Sequence, residues 1–283
     1  MNNARLDNLM YELSVVMATY KENPVFLKTC IDSVLNQTFR DFEFLMTIEP
    51  DETNMDFLDG VAKTDSRIKI LENTSRLGVA GSRNRAILES SGKYIALIDG
   101  DDYCAPDRFE KQLSFLEDNP DVSVVGSNMY LIDENDNIIG ERKYPELHED
   151  IKRRFLLTMA VANPSVILRR RDIAEVGLFE DKFYKAEDFE LWLRFLANNK
   201  RMYNLQENLV YYRIQDNSNR KRGILHFKNV YISRKKYSKL IWPLRIRVLS
   251  LLLFFLVSCI PNVFLNYLLN LRIASKLRNI KLT

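Results

Sequence analysis

Through the first third of the chain, short apolar runs alternate with amphipathic stretches, the pattern of strands joined by crossover helices that builds a parallel sheet. LSVVMA (13–18), FEFLMTI (42–48), RIKIL (67–71) and KYIALID (93–99) read as four strands. Between the first two, Phe26, Leu27, Cys30, Val34 and Leu35 share one face of a helix predicted over 24–37, with Pro24 acceptable in its first turn. Helices near 54–62 and 79–90 separate the others. In a doubly wound sheet of this kind ligands sit beyond the carboxyl ends of the strands, so chemistry is expected just after Ala18, Ile48, Leu71 and Ile98.

Past Asp102 the pattern predicts a helix (107–118), a strand (122–132), a hairpin return near 134–137 and a strand ending at Tyr144. Strands at 163–168 and 202–214 follow, with a helix over about 188–198 between them. The polar, basic stretch QDNSNRKRG (215–223) has no periodicity and marks a boundary.

Charge changes the picture only at the C-terminus. The net charge of +3 conceals a segment, 217–283, with 14 Lys and Arg and no acidic residue. Such a segment attracts polyanions, and the neighbouring sequence points to a membrane: 24 uncharged residues, 248–271, lie between Arg247 and Arg272. That length suffices to cross a hydrocarbon core of about 30 Å as a helix. Pro261, Asn262, Asn266 and Asn270 interrupt it, so an in-plane or re-entrant helix pair is the alternative, with Tyr237 and Trp242 as interfacial candidates. The basic charges flank an apolar stretch and do not interleave with stacking aromatics, so nucleic acid is not expected as a partner.

The opening residues carry no continuous apolar stretch of signal-peptide type, which predicts a catalytic part that stays in the cytoplasm. Cys30, Cys104 and Cys259 are odd in number and scattered, fitting a reducing compartment and no disulfide framework. His148 and His226 are the only histidines, which excludes a zinc site of the usual ligands and a Ser-His triad. An apolar fraction of 46% and a charged fraction of 28% exclude disorder and fibrous repeats.

The most informative segment is IALIDGDDYCAPDRFE, where a buried strand runs directly into Asp99, Asp101 and Asp102. Three carboxylates in four residues repel one another. A divalent cation relieves that crowding, and hard oxygen ligands suit Mg²⁺ or Mn²⁺. A solvated acidic turn capping the next helix is the plainer alternative.

A strand followed by DGDD in an α/β chain resembles the DXD-type motif of the family 2 glycosyltransferases with the GT-A fold, and further segments match that family in order over about 12–215. SVVMATYKEN resembles its first strand and nucleotide-contacting turn, which implies that Thr19 and Tyr20 lie beside the base or ribose. The stretch IDSVLNQTFRDFEFLM resembles its lead into the second strand. There the family carries an Asp-rich turn, whereas this chain has Glu49-Pro50-Asp51; Glu49 or Asp51 is expected to read the base. RLGVAGSRNRAI resembles the helix start that turns Arg83 toward the donor nucleotide and its phosphates. AEDFELWLRF resembles the family's Glu-Asp motif, which implies Asp188 as general base, with Glu187 and Trp192 on the acceptor side. YYRIQDNS is similar to a segment that closes over the diphosphate, with Arg213 as the contact and an ordinary salt bridge as the alternative.

The resemblance implies a GT-A, Rossmann-like, mostly parallel mixed sheet flanked by helices. Residues 1–216 form the expected catalytic domain, with a donor half at about 12–102 and an acceptor half at about 103–216. The basic helical tail, 217–283, follows as a membrane-associating appendage. The implied reaction is an inverting transfer from a nucleotide diphosphate-sugar, a UDP-sugar before others, to a hydroxyl of a lipid-linked saccharide. Surface polysaccharide or lipopolysaccharide assembly is the implied setting. Asp101 and Asp102 are the expected metal ligands and Asp99 a donor contact. The expected place is the cytoplasmic face of the inner membrane, peripheral or held by one span. A nucleotidyltransferase would open on a glycine-rich loop, and no glycine precedes Gly60. A non-catalytic membrane protein on a decayed transferase fold is the remaining alternative.

Overall fold

The computed structural model describes residues 10–214 and 224–258 and the backbone of 280–282. The expected boundary at 215–223 and the expected interruptions from Pro261 to Asn270 lie outside the described residues.

β1 (Tyr11–Thr19), α1 (Pro24–Leu35), β2 (Phe42–Ile48), α2 (Met55–Thr64), β3 (Ile68–Glu72), α3 (Gly78–Glu89) and β4 (Gly92–Asp99) appear in the order the hydrophobic pattern predicts. The Asn23 side chain starts α1 by accepting from the Val25 N–H at 2.9 Å, and Pro24 takes a first-turn position where no N–H is needed. Gly92 is required by close approach: a Cβ there would lie 2.6 Å from the Leu13 carbonyl carbon and 2.5 Å from the Ser14 nitrogen.

The second half continues with β5 (Tyr103–Cys104), α4 (Arg108–Asp118), β6 (Val122–Ile132), β7 (Ile138–Arg142), α5 (His148–Arg154) and β8 (Ile167–Arg169). α6 (Arg170–Val176), α7 (Glu187–Ala197), β9 (Arg201–Arg213), α8 (Ile224–Ile241), α9 (Leu244–Ser258) and β10 (Ile280–Leu282) complete it. The strand expected at 163–168 begins instead as a 3₁₀ turn, Asn163–Ser165, because Pro164 has no N–H to place in a ladder; only its end enters the sheet, as β8.

One sheet runs β10-β7-β6-β8-β4-β1-β2-β3, with β9 beside β6 and β5 beside β9. β3, β2, β1 and β4 are mutually parallel. Beyond β4 the pairings are antiparallel except β6 with β9, so the sheet is parallel only in its first half and not mostly parallel throughout. The reason is connectivity: after β4 hairpins and short returns replace the crossover helices that parallel pairing needs.

Two apolar layers cover the faces of the sheet, one centred on α1, β1, β2 and α4, the other on α3, β4 and α7. The second includes Val230, Tyr237, Ile241, Trp242 and Phe254 from α8, α9 and the turn between them. The C-terminal helices are therefore packed into the catalytic core and do not hang from it as a separate tail. Tyr237 and Trp242, expected at a membrane border, are buried: Tyr237 donates to Glu190 at 2.6 Å and the Trp192-facing layer is joined by Trp242, which donates to the Lys152 carbonyl at 3.2 Å. Among the described residues no helix is long and apolar enough to cross a membrane.

Candidate active site

The carboxyl ends of β1, β2 and β4 open on one edge, and the acidic turn after β4 is its floor. Asp102 N–H donates back to the Asp99 carbonyl at 3.1 Å, closing the turn. Beneath it the fully buried Arg108 ties β4 to the segment before β8 by donating to the carbonyls of Leu97 and Val166 at 3.0 and 3.2 Å.

Arg213, at the end of β9, locks the turn from the other side. Its N–H donates to Asp102 Oδ1 at 2.9 Å and its Nε to the Asp101 carbonyl at 3.0 Å. Its remaining nitrogens reach the Asp133 carbonyl at 2.8 Å and Asp136 at 2.6 Å, and its guanidinium lies 3.9 Å from the Phe26 ring centroid. With its side chain fully buried and its donors occupied, Arg213 is an anchor and not the expected diphosphate contact; the salt-bridge alternative describes it better.

The three carboxylates of the turn are placed differently. Asp99 pairs with Arg83 of α3. Asp102 is buried, and its Oδ2 has no hydrogen-bond partner. Burial, then repulsion from Asp101 and Asp99, pushes the Asp102 carboxyl well above the usual carboxylate range, and the Arg213 N–H and charge pull it only partly back. Among the described residues no three His, Cys, Asp or Glu side chains form a ready-made metal cage. A single partnerless, buried carboxylate oxygen next to Asp101 does fit a hard cation of the kind held by one or two carboxylates and completed by substrate phosphates.

Arg83 connects the floor to the far wall. Burial opposes its charge, but Asp99, Glu187 and Asp188 more than compensate and hold it firmly protonated. Glu187 and Asp188 lie in the first turn of α7, both half-buried. Glu187 is raised above the ordinary glutamate range by burial first and by the Asp188 charge second, and its Oε2 is buried without a partner. The loop before α7 turns through Lys185 at φ 68°. Helix α8 grips that loop: Asn229 donates to the Tyr184 carbonyl at 2.8 Å, and His226 Nδ1 lies 2.6 Å from the Lys185 carbonyl.

At the nucleotide end, Thr19 is buried with a partnerless hydroxyl, and the half-buried Tyr20 ring carries the exposed Arg76 guanidinium at 4.3 Å from its centroid. Glu49 does not face this opening. Its carboxylate accepts from the Leu77 N–H at 3.0 Å and from the Ser82 hydroxyl at 2.8 Å, so it caps the entry to α3 and sets Arg83 in place. Asp51 stays exposed at the tip of the turn at φ 63°, leaving it as the carboxylate open to a base. Trp192 is also displaced from its expected role: it is fully buried in the core, with its ring edge-on to Phe195.

Sequence reasoning missed Arg76, Asn229 and Arg142. Arg142 of β7 lies 5.3 Å from the Tyr212 ring centroid, with a buried, partnerless Nε. Burial works against its charge, while Tyr144, Tyr212 and the Asp102 carboxylate outweigh it. No local spacing signals this residue, because β7 reaches the acidic turn only through strand pairing with β6. For Arg76 a signal existed: a basic residue two positions before Gly78, at the mouth of a helix whose next guanidinium is Arg83.

Residues 14–178 match the family described as Glycosyl transferase family 2. An uncharacterized glycosyltransferase of Methanocaldococcus jannaschii is 34% identical over 232 residues, covering 81% of this chain and 76% of that protein. A UDP-Glc:alpha-D-GlcNAc-diphosphoundecaprenol beta-1,3-glucosyltransferase of Escherichia coli, WfgD, is 31% identical over 189 residues, covering 67% and 71%. Among solved structures, TarS of S. aureus in complex with UDP-GlcNAc superposes with a TM-score of 0.68 at 14% identity, covering 94% of this chain and 77% of that one. That likeness is one of fold.

Proposed function

Since the chain belongs to glycosyl transferase family 2, we propose that it moves a sugar, with inversion, from a nucleotide diphosphate-sugar to a hydroxyl of a lipid-linked saccharide at the cytoplasmic face of the cell membrane. The observation that carries the reading is the ion pair by which the buried Arg83 holds Asp99 of the acidic turn, with the charges of Glu187 and Asp188 at the start of α7 near enough to act on the same guanidinium. A donor carboxylate site and a base then face one cleft. The E. coli relative's name specifies a UDP-glucose donor and a GlcNAc-diphosphoundecaprenol acceptor. By analogy a UDP-sugar and a polyprenyl diphosphate-linked acceptor are our first choices here, in polysaccharide assembly.

In this mechanism Tyr20 and Arg76 flank the nucleobase and Asp51 reads its edge. Arg83 lies along the donor phosphates, held in place by its ion pair with Asp99. Asp101 and Asp102 would hold Mg²⁺ or Mn²⁺, whose positive charge would offset that developing on the departing diphosphate. Arg142 adds a guanidinium on the acceptor side of that turn. Asp188 takes the proton from the acceptor hydroxyl as its oxygen attacks the anomeric carbon, and Glu187 positions the acceptor. The family resemblance, with one proposed base and no residue assigned as nucleophile, supports a single displacement and hence inversion. Positioning and charge stabilisation supply most of the rate.

The test is a screen of nucleotide-sugars for Mn²⁺- or Mg²⁺-dependent binding and donor hydrolysis, followed by the anomeric configuration of the product. One donor turned over with metal, and an inverted product, is the expected result. A retained configuration sinks the mechanism; no donor bound in the presence of metal turns the reading to a non-catalytic membrane protein on this fold.

A further inference from the structure

Helix α9 presents an apolar face that the described residues leave largely open, Phe255 alone of it lying beside another ring, that of Tyr231 at 5.8 Å. Leu244, Val248, Leu249, Leu252, Phe255 and Leu256 are 47–70% exposed. At 3.6 residues per turn they fall within an arc of about 140°. Ser250 and Phe254 point the other way and are buried: Ser250 donates to the Leu156 carbonyl at 3.2 Å, and the Phe254 ring lies 3.8 Å from the guanidinium of Arg234 on α8. A face of this size on a monomer marks an interaction site.

The charge pattern selects the occupant. Every ionised side chain in 217–283 is basic, 14 in all. A second copy would bring the same charges against themselves, whereas an anionic lipid surface complements them, with the exposed Arg245, which falls within the apolar arc at the first turn of α9, able to lift its guanidinium to headgroup level.

The inner contacts then select the mode. With Ser250 on the Leu156 carbonyl and Phe254 against Arg234, α9 has the catalytic fold along one side, whereas a spanning helix has lipid or other spans around it at every level of the bilayer.

We propose that α9 docks in the plane of an anionic bilayer surface. This rests on the membrane location proposed above and not on the chemistry. Docking on α9 would hold α8, and through Asn229 and His226 the loop that leads into α7 and Asp188, at headgroup height, where the hydroxyl of a lipid-linked acceptor lies.

Two measurements on the full chain test it. Flotation with vesicles of phosphatidylcholine alone and with phosphatidylglycerol added should show binding to the anionic vesicles that weakens with salt. Leu249→Glu with Leu252→Glu should lower that partition at least about tenfold while leaving the urea midpoint unchanged. A C-terminal epitope should be cut by protease from the same side as the catalytic domain, in inverted vesicles and not in spheroplasts. An epitope reachable only from the opposite side overturns the in-plane mode. Undiminished partition of the double variant, or a solution dimer that the variant dissociates without vesicle binding, overturns the lipid surface as occupant. A protein that docks as described but binds no donor would leave this inference standing and sink the transferase reading instead.

Discussion

Replacing Arg213 by methionine separates an anchor from a ligand. The side chain is fully buried and donates to the backbone carbonyls of Asp101 and Asp133 at 3.0 and 2.8 Å. Bonds from a charged donor contribute about 1.5–3 kcal/mol each, and methionine leaves both carbonyls unsatisfied. The pair with Asp136 adds at most about 1 kcal/mol, because that carboxylate is 46% exposed and screened by solvent. The stack on Phe26 adds about as much again. These add to about 4–8 kcal/mol; methionine keeps most of the volume and spares the cost of burying a charge, so a net loss of about 3–5 kcal/mol is expected, a large part of the roughly 5–15 kcal/mol that holds a domain folded. Arg213→Lys should recover less than half, since one ammonium cannot span acceptors arranged around a planar fork. Urea unfolding followed by the fluorescence of Trp192 and Trp242, both buried, measures it directly. If Arg213→Met unfolds within about 1 kcal/mol of the parent yet loses nucleotide affinity, the side chain is a diphosphate ligand and the anchor argument is wrong.

Asp188→Asn should lower kcat by about 10²–10⁴ while leaving donor affinity intact, measured by calorimetry beside turnover; an equal loss of affinity would move Asp188 from base to donor contact. Asp102→Asn should abolish the metal dependence of donor binding and leave the metal-free unfolding midpoint unchanged or higher, because a neutral amide replaces a buried carboxylate repelled by Asp101 and Asp99. Glu187, raised by burial and by Asp188, binds its proton more tightly folded than unfolded. Stability should therefore fall as pH rises from the ordinary glutamate range through its elevated folded value, and Glu187→Gln should flatten that fall in unfolding midpoints taken between about pH 4 and 7. Asn229→Ala removes one bond to the Tyr184 carbonyl, about 1 kcal/mol, and should slow turnover about fivefold with donor affinity unchanged; unchanged turnover would mean that α8 does not position Asp188.

The donor half was legible because its signals are local. Each of β1 to β4 is an apolar run short enough to be a strand, and each intervening helix shows its face within a dozen residues. The acidic turn was legible for a related reason: carboxylates as crowded as Asp99, Asp101 and Asp102 are rare without a task, and repulsion between neighbours in sequence needs no knowledge of the fold. What could not be read is what each of them touches. Asp99 with Arg83, Glu49 with Leu77 and Ser82, and Arg213 with Asp101 and Asp133 are separated by between 16 and 112 positions. Residue type alone left Glu49 and Arg213 as open to a ligand as Arg83.

The same distinction explains why the C-terminus reads as a tail. A helix with one polar face announces its burial, but α9 is apolar nearly all round, and the sequence pattern of such a helix is shared by a membrane span and by a helix with protein on one side and lipid on the other. Only the inner contacts separate the two. Ser250 at the Leu156 carbonyl and Phe254 against Arg234 show that one side is already occupied by the catalytic fold. A span has lipid or other spans around it at every level of the bilayer, whereas α9 has the catalytic fold along one side. Length counted along the sequence was the weaker guide; what separates the two readings of α9 is which of its side chains the fold already covers.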